Sequence, residues 1–428
     1  MALRIGNLIA RKYRKKRRKL AKMQDRIARR QNSTGVNMRK AKPTDRIVLA
    51  ILNRLLKENR ILPLATYADG SQPIAVLADA AESISEAPRL LDAEPIRHLG
   101  TMPAIAARLF TVASVSGNSS AVAIKDRICV PDLYVGRPEL QITDASFFVS
   151  QADSVGTVYC ADPRKLPKGI AVFGSGASNW YHWLIEILPA AFLAEGLPKD
   201  YSDFPLIVPE ECLAVKSYRD SLAVFSGGRA VITQPIAAPM TVDKLIWIDS
   251  VASGPMNLAS GHWPVPSDYR QHAPVLRRYR AAIMDRLGIG ETSPSRRMFL
   301  ARDQSRRSYN QEELLAAATR YGFEPVFPEQ LSFREQVELF SSAEFVIGPS
   351  GAAFANMLFC QPGTRGLTWL VPSYRGFCAY SDLAQVIGMR LVYLFTKPEV
   401  HIANTHDAYI APYQLDPVEF ERALKAMA

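Results

Sequence analysis

Val346-Ile347-Gly348-Pro349-Ser350-Gly351-Ala352-Ala353-Phe354-Ala355-Asn356-Met357-Leu358-Phe359 is the stretch whose reading decides the fold. An apolar strand, Ala343 to Ile347, runs into a turn of small residues, Gly348 to Gly351, and a helix begins near Ala352. The first N–H groups of a helix have no partner inside it, so they can hold an anion such as a diphosphate. Gly351 lets the backbone come close to that anion. An ordinary strand–turn–helix connection has the same pattern, so the neighbouring sequence has to choose.

Outward from this stretch, strands and helices alternate. Strands are expected at Met298–Ala301, Glu324–Phe327, Glu344–Ile347 and Arg365–Val371. Helices are expected at Val275–Leu287, Asn310–Tyr321 (capped by Asn310) and Phe333–Ser341. Asp416–Met427 should be a terminal helix, with Asp416 as cap and Pro417 in its first position. Such alternation predicts a parallel, doubly wound sheet with ligands at the carboxyl ends of its strands.

Upstream the pattern is less regular. A helix is expected at Thr44–Arg60, and residues 61–105 carry no clear period. Short strands are expected at Leu109–Val115, Ala121–Val130 and Ala145–Val149. Ile170–Phe173 leads through Gly174-Ser175-Gly176-Ala177 into a helix from Asn179 to Glu195. Leu206–Val208, Ala230–Ile232 and Lys244–Ile248 complete a layered α/β unit.

At 428 residues the chain has room for two such units. Its net charge of +11 is not spread evenly. Residues 1–42 hold 16 Lys and Arg and one acid, Asp25. Taking these from 52 basic and 41 acidic residues leaves 36 and 40, a mildly acidic body of net −4. A nucleic-acid enzyme would carry its positive charge on the folded domain, so nucleic acid is not an expected partner. Apolar residues in the tail (Ile5, Ile9, Tyr13, then Leu20, Met23, Ile27) recur at helical steps. Residues 1–30 therefore suit an anionic membrane surface, although a solvated tail has the same composition. No apolar run reaches the ~20 residues of a spanning helix. The apolar start is interrupted by Arg4 and precedes the charges, which is not the order of a secretory leader. The five cysteines show no CxxC spacing, so neither zinc nor a disulfide framework is expected, and a cytoplasmic location fits.

Three constellations could carry chemistry. In Asn179-Trp180-Tyr181-His182-Trp183-Leu184-Ile185-Glu186, residues His182 and Glu186 are four apart and share a helical face. A carboxylate there orients an imidazole and raises its basicity, as removal of a hydroxyl proton requires. A hydrogen-bonded core histidine would look the same. In Phe299 to Arg307, Arg302, Arg306 and Arg307 follow directly on a strand and could clamp phosphate oxygens, or simply form a solvated loop. The third constellation is the Ser350 turn itself. No Asp-x-Asp triplet offers itself to a divalent metal, so Arg and helix N–H groups would neutralise a diphosphate without one.

Four blocks, taken in order, resemble glycosyltransferase family 61. Asn179–Pro189 is similar to the family's Tyr-His-Trp-Leu…Glu…Leu-Pro block, and Phe299–Arg307 to its strand with trailing arginines. Phe323–Val326 with Leu331–Gln336 resembles its Gly-Phe-Glu…Leu-Ser-Phe-x-Glu-Gln block. Gly348–Pro362 resembles its Gly-x-His-Gly-Ala…Asn-x-x-Phe…Pro-Gly block. The resemblance spans about Phe173 to Pro372.

It implies a GT-B fold, two Rossmann-like domains facing across a cleft, here with a basic N-terminal helical tail. The corresponding division is a tail and linker (1–43), an acceptor-side α/β domain (44–275), a nucleotide-sugar domain (276–412) and a terminal helix (413–428) that can cross back to the first domain. It further implies inverting transfer without a metal or other cofactor, from a nucleotide sugar (a UDP-sugar is expected) to a capsule or surface glycan or glycolipid. This would take place at the inner face of the cell membrane. His182 and Glu186 would be catalytic, with Asn179, Tyr181 and Trp183 on the acceptor side. Arg302, Arg306, Arg307, Ser350, Gly351, Ala352 and Asn356 would bind the donor.

Two positions depart from the family pattern. Ser350 stands where the family has His, and Thr368-Trp369-Leu370 stands where it often has an acid. A non-catalytic binding relative is therefore the first rival. A serine hydrolase using Ser350, Asp382 and His401 or His406 is the second, although its elbow would need Gly at position 352, which is Ala here.

Overall fold

The computed structural model describes residues 59–427, except 145, 153, 161–162, 291 and 303–307. The basic tail and most of the expected Thr44–Arg60 helix lie outside the described residues. Asn59 and Arg60, its expected end, instead open the strand Asn59–Thr66.

Two sheets organise the chain. The larger has eleven strands and is mixed. Its parallel part has the spatial order Val231–Gln234, Leu206–Pro209, Arg164–Ala171, Pro239–Ile248. The long strand Ile105–Ser116 then pairs antiparallel with Pro239–Ile248 and connects to the remaining strands. The smaller sheet has five parallel strands, ordered Glu324–Val326, Arg296–Leu300, Ala343–Pro349, Arg365–Leu370, Arg390–Phe395. The sequence of these five strands alternates with helices, and a parallel pair needs such a crossover.

In the small sheet the order reverses between Arg296–Leu300 and Ala343–Pro349; in the parallel part of the large one it reverses between Arg164–Ala171 and Pro239–Ile248. Crevices open at such switch points, beyond the carboxyl ends of the strands. The Ser350 turn leaves the first of these and the Gly174–Ala177 turn the second. A single apolar core runs from the large sheet through the helix Ala273–Arg286 to one face of the small sheet. The opposite face of the small sheet is covered by Gln311–Thr319 and the terminal helix Pro417–Met427, packed on Phe345, Trp369 and Leu314. The terminal helix thus stays with the small sheet, touching residues before 275 through the Arg422–Asp92 ion pair at 2.7 Å.

Two expected elements are broken by local features. The expected strand Ala121–Val130 is two short strands, Val122–Ala123 and Ile128–Val130, closed by the Ile124 N–H to Arg127 carbonyl bond at 3.0 Å. Within Asn179–Glu195 the helix is not uniform. His182–Ile187 is a π-helix, Pro189–Leu193 an α-helix and Ala194–Gly196 a 3₁₀ turn. Pro189 has no N–H for the Ile185 carbonyl, and the wider turn absorbs the fault.

Candidate active site

The π-helix sets the first side-chain pair. Its wide turn brings residues four apart almost over one another, and His182 Nδ1 meets Glu186 Oε2 at 2.7 Å. The carboxylate can only accept, so Nδ1 carries the proton and Nε2 is left as the base. Burial opposes charging of the imidazole, but the Glu186 charge and hydrogen bond outweigh it and raise the His182 pKa. Gly176 lies under the ring in the left-handed region, at φ 77°. A Cβ there would stand 2.6 Å from His182 Cδ2, so the glycine turn is what lets the imidazole sit down on the backbone.

The second group sits at the end of strand Ala343–Pro349. Here the structure has a 3₁₀ helix, Ala352–Phe359, rather than an α-helix. Its first internal bond is Phe354 N–H to the Gly351 carbonyl at 3.0 Å. The N–H groups of Gly351, Ala352 and Ala353 precede it and point out of the helix start. The Ser350 N–H, by contrast, donates to the Trp369 carbonyl at 3.2 Å. Arg302 reaches the same turn from strand Arg296–Leu300 and donates through Nη2 to the Ser350 carbonyl at 2.8 Å. A Cβ on Gly351 would lie 2.7 Å from that nitrogen, so glycine is needed for the approach of Arg302 and not for an unusual φ. Arg306 and Arg307 lie outside the described residues.

One cavity of about 230 Å³ joins the two groups. Its walls include Asn179, Tyr181, His182 and Glu186 on one side and Ser350, Gly351 and Ala352 on the other. Arg302 is not a wall of it but stands against the backbone of the turn. The loop Ala252–Met256, residues Tyr269 and Gln271, and the segment from Tyr374 to Asp382 close the remainder. Sequence reasoning missed all of these as site residues except Asp382. They carry no periodic or motif signal, because long-range packing alone brings them to the cavity.

Two expected site residues are elsewhere. Trp183 is fully buried and donates to Ser221 Oγ at 2.9 Å, so it belongs to the core and not to the acceptor side. Asn356 is fully buried too. It accepts from Trp180 Nε1 at 2.9 Å and donates to Gln336 Oε1 at 2.8 Å, which leaves it no face for a donor. Tyr181 lines the cavity but is itself held, donating to the Ala379 carbonyl at 3.2 Å. The hydrolase alternative also fails on placement. Asp382 Oδ1 is taken by the Glu86 N–H at 2.8 Å, and His401 and His406 are exposed and outside the cavity. Among the described residues, no three His, Cys, Asp or Glu side chains gather where they could hold a metal ion.

The family model for glycosyltransferase 61 matches residues 180–367, from Trp180 through the Ser350 turn to Leu367. Over this segment the chain is similar to glycosyltransferase family 61, and the match supports that assignment. A comparison with curated proteins gives no match. Similarity to a glycosyltransferase family suggests a sugar donor and a glycan acceptor as substrates. Among the described residues, no helix is long and apolar enough to cross a membrane.

Proposed function

We propose that this protein is an inverting, metal-independent family 61 glycosyltransferase that moves a sugar from a UDP-activated donor to a growing capsule or surface glycan. One observation carries the reading: the His182–Glu186 pair and the Ser350–Ala352 turn line the same cavity. In this reading the two sheets are the two Rossmann-like halves of a GT-B architecture, each presenting its switch point to the cleft.

The acceptor hydroxyl gives its proton to His182 Nε2 as its oxygen attacks the anomeric carbon. The bond from that carbon to the diphosphate breaks on the opposite face, so configuration inverts. Glu186 holds the imidazole in the required tautomer and stabilises the imidazolium that forms. The leaving diphosphate gathers charge at the N–H groups of Gly351 to Ala353, with Arg302 adding positive potential behind them. Preorganised donors of this kind act without reorganisation during the step. The basic tail would keep the enzyme at the cytoplasmic face of the membrane, close to lipid-linked acceptors.

The substitution of Ser350 for the family's His favours a second reading, a non-catalytic binding relative. Hydrolysis of UDP-sugars by wild type and His182→Ala separates the two. Turnover that is lost in the variant supports the transferase. Saturable binding with no turnover in either protein supports the binding relative.

A further inference from the structure

Two residues of the cavity wall each carry a buried polar atom that the fold leaves unpaired. Among the described residues, Gln271 Oε1 and Asp382 Oδ2 have no hydrogen-bond partner. Both residues are more than nine-tenths buried and both line the cavity that contains His182. They share supports. Gln271 N–H donates to Ser83 Oγ at 2.9 Å and the Glu86 N–H donates to Asp382 Oδ1 at 2.8 Å, both from strand Ala81–Glu86. Gln271 Nε2 also reaches the Ala379 carbonyl, at the start of the helix that carries Asp382, at 3.3 Å. The Ser85 hydroxyl beside Asp382 donates to the Tyr269 carbonyl at 2.6 Å.

Leaving a buried acceptor unpaired costs about 1–3 kcal/mol, so two at one cavity wall call for a cause. Burial raises the Asp382 pKa above its ordinary value and so favours the neutral carboxyl, against the pull of the Glu86 N–H and the Ser85 side chain. A neutral carboxyl is a donor through Oδ2, while Gln271 Oε1 is an acceptor only. A phosphate offers acceptors only and cannot satisfy Gln271. An ammonium offers donors only and cannot use a neutral Asp382. A hydroxyl is both donor and acceptor. We propose that Gln271 and Asp382 form a recognition wall for the hydroxyl groups of a sugar ring, fixing the sugar end of the cavity opposite the Ser350 turn. The inference rests on the nucleotide-sugar reading above and adds residues that select the sugar.

The test is isothermal titration of the full chain with UDP and with a set of UDP-hexoses. Gln271→Ala and Asp382→Ala should weaken the best-bound UDP-hexose about tenfold or more, with UDP itself changed by less than about twofold. Asp382→Asn keeps a neutral donor and the Glu86 bond, and should restore affinity. Equal losses for UDP and UDP-hexose, no loss in either, or a wild type that binds both equally would overturn the wall. Failure of wild type to bind either ligand would reject the UDP-sugar reading instead. The wall is then judged by melting: Gln271→Met should melt at or above wild type, and a clear fall would show that Oε1 is already engaged and overturn it.

Discussion

Trp180 donates through its indole N–H to Asn356 Oδ1 at 2.9 Å, joining the entry of the helix that carries His182 to the helix that follows the Ser350 turn. The two residues are 176 positions apart in the chain. Asn356 passes the link to Gln336 on the helix Phe333–Ser341. A buried amide thus ties the two sides of the cavity together. Asn356→Ala strands the buried Gln336 amide and the half-buried Trp180 indole N–H, and should cost about 2–3 kcal/mol, read from the urea midpoint of the full chain.

His182→Ala should lower transfer by about two to four orders of magnitude with little change in donor affinity. A change confined to binding would show that the imidazole is not the base.

Because Glu186 raises the His182 pKa, the rising limb of the rate against pH should lie above the ordinary imidazole value of about 6.5. Glu186→Gln removes that charge and should move the limb to lower pH while reducing the plateau. The same linkage governs stability. A raised folded pKa contributes stability that is complete below about pH 6.5 and is lost as pH rises through the folded value. The urea midpoints of wild type and Glu186→Gln should therefore differ most in acid and converge toward alkaline pH.

Gly351→Ala places a methyl group 2.7 Å from Arg302 Nη2, the mobile end of a long side chain. Arg302 can swing away, so stability should change by less than about 1 kcal/mol while UDP affinity falls about tenfold. A large loss of stability with intact binding would contradict the role given to this turn.

Trp183→Ala should behave as a core truncation, costing about 3–5 kcal/mol. A properly folded variant with weakened acceptor binding alone would return Trp183 to the site.

Four of the five strands of the smaller sheet were legible because their signals are local, while Arg390–Phe395 and the helix Ala379–Ile387 before it were not expected. At the start of Phe333–Ser341, Ser332 and Glu335 form a reciprocal cap, with Ser332 N–H donating to Glu335 Oε2 at 2.7 Å. Phe333–Ser341 has the bounds its pattern predicts. Asn310 shows the limit of such signals. It precedes its helix as expected, yet its side chain makes no cap bond and instead ties Glu313 and the Leu415 backbone. Residues 61–105 kept no clear period: Gln72–Ala78 pairs with Ile105–Ser116 through two register shifts, and Ala81–Glu86 pairs with Arg97–Met102 across an irregular connection while resting on Arg270–Gln271 and the helix Ala379–Ile387. In the site, helical spacing placed His182 and Glu186 on one face. It could not tell that the neighbouring Trp183 and the later Asn356 point into the core, because the partners that hold them there, Ser221 for Trp183 and Trp180 with Gln336 for Asn356, are remote in sequence.

The most direct measurement is a crystal structure of the full chain with UDP bound. The diphosphate oxygens should accept from the N–H groups at Gly351 to Ala353, with the open end of the diphosphate directed across the cavity to His182. UDP bound away from this turn, or a cavity between residues 182 and 350 that closes around side chains and excludes it, would contradict the account.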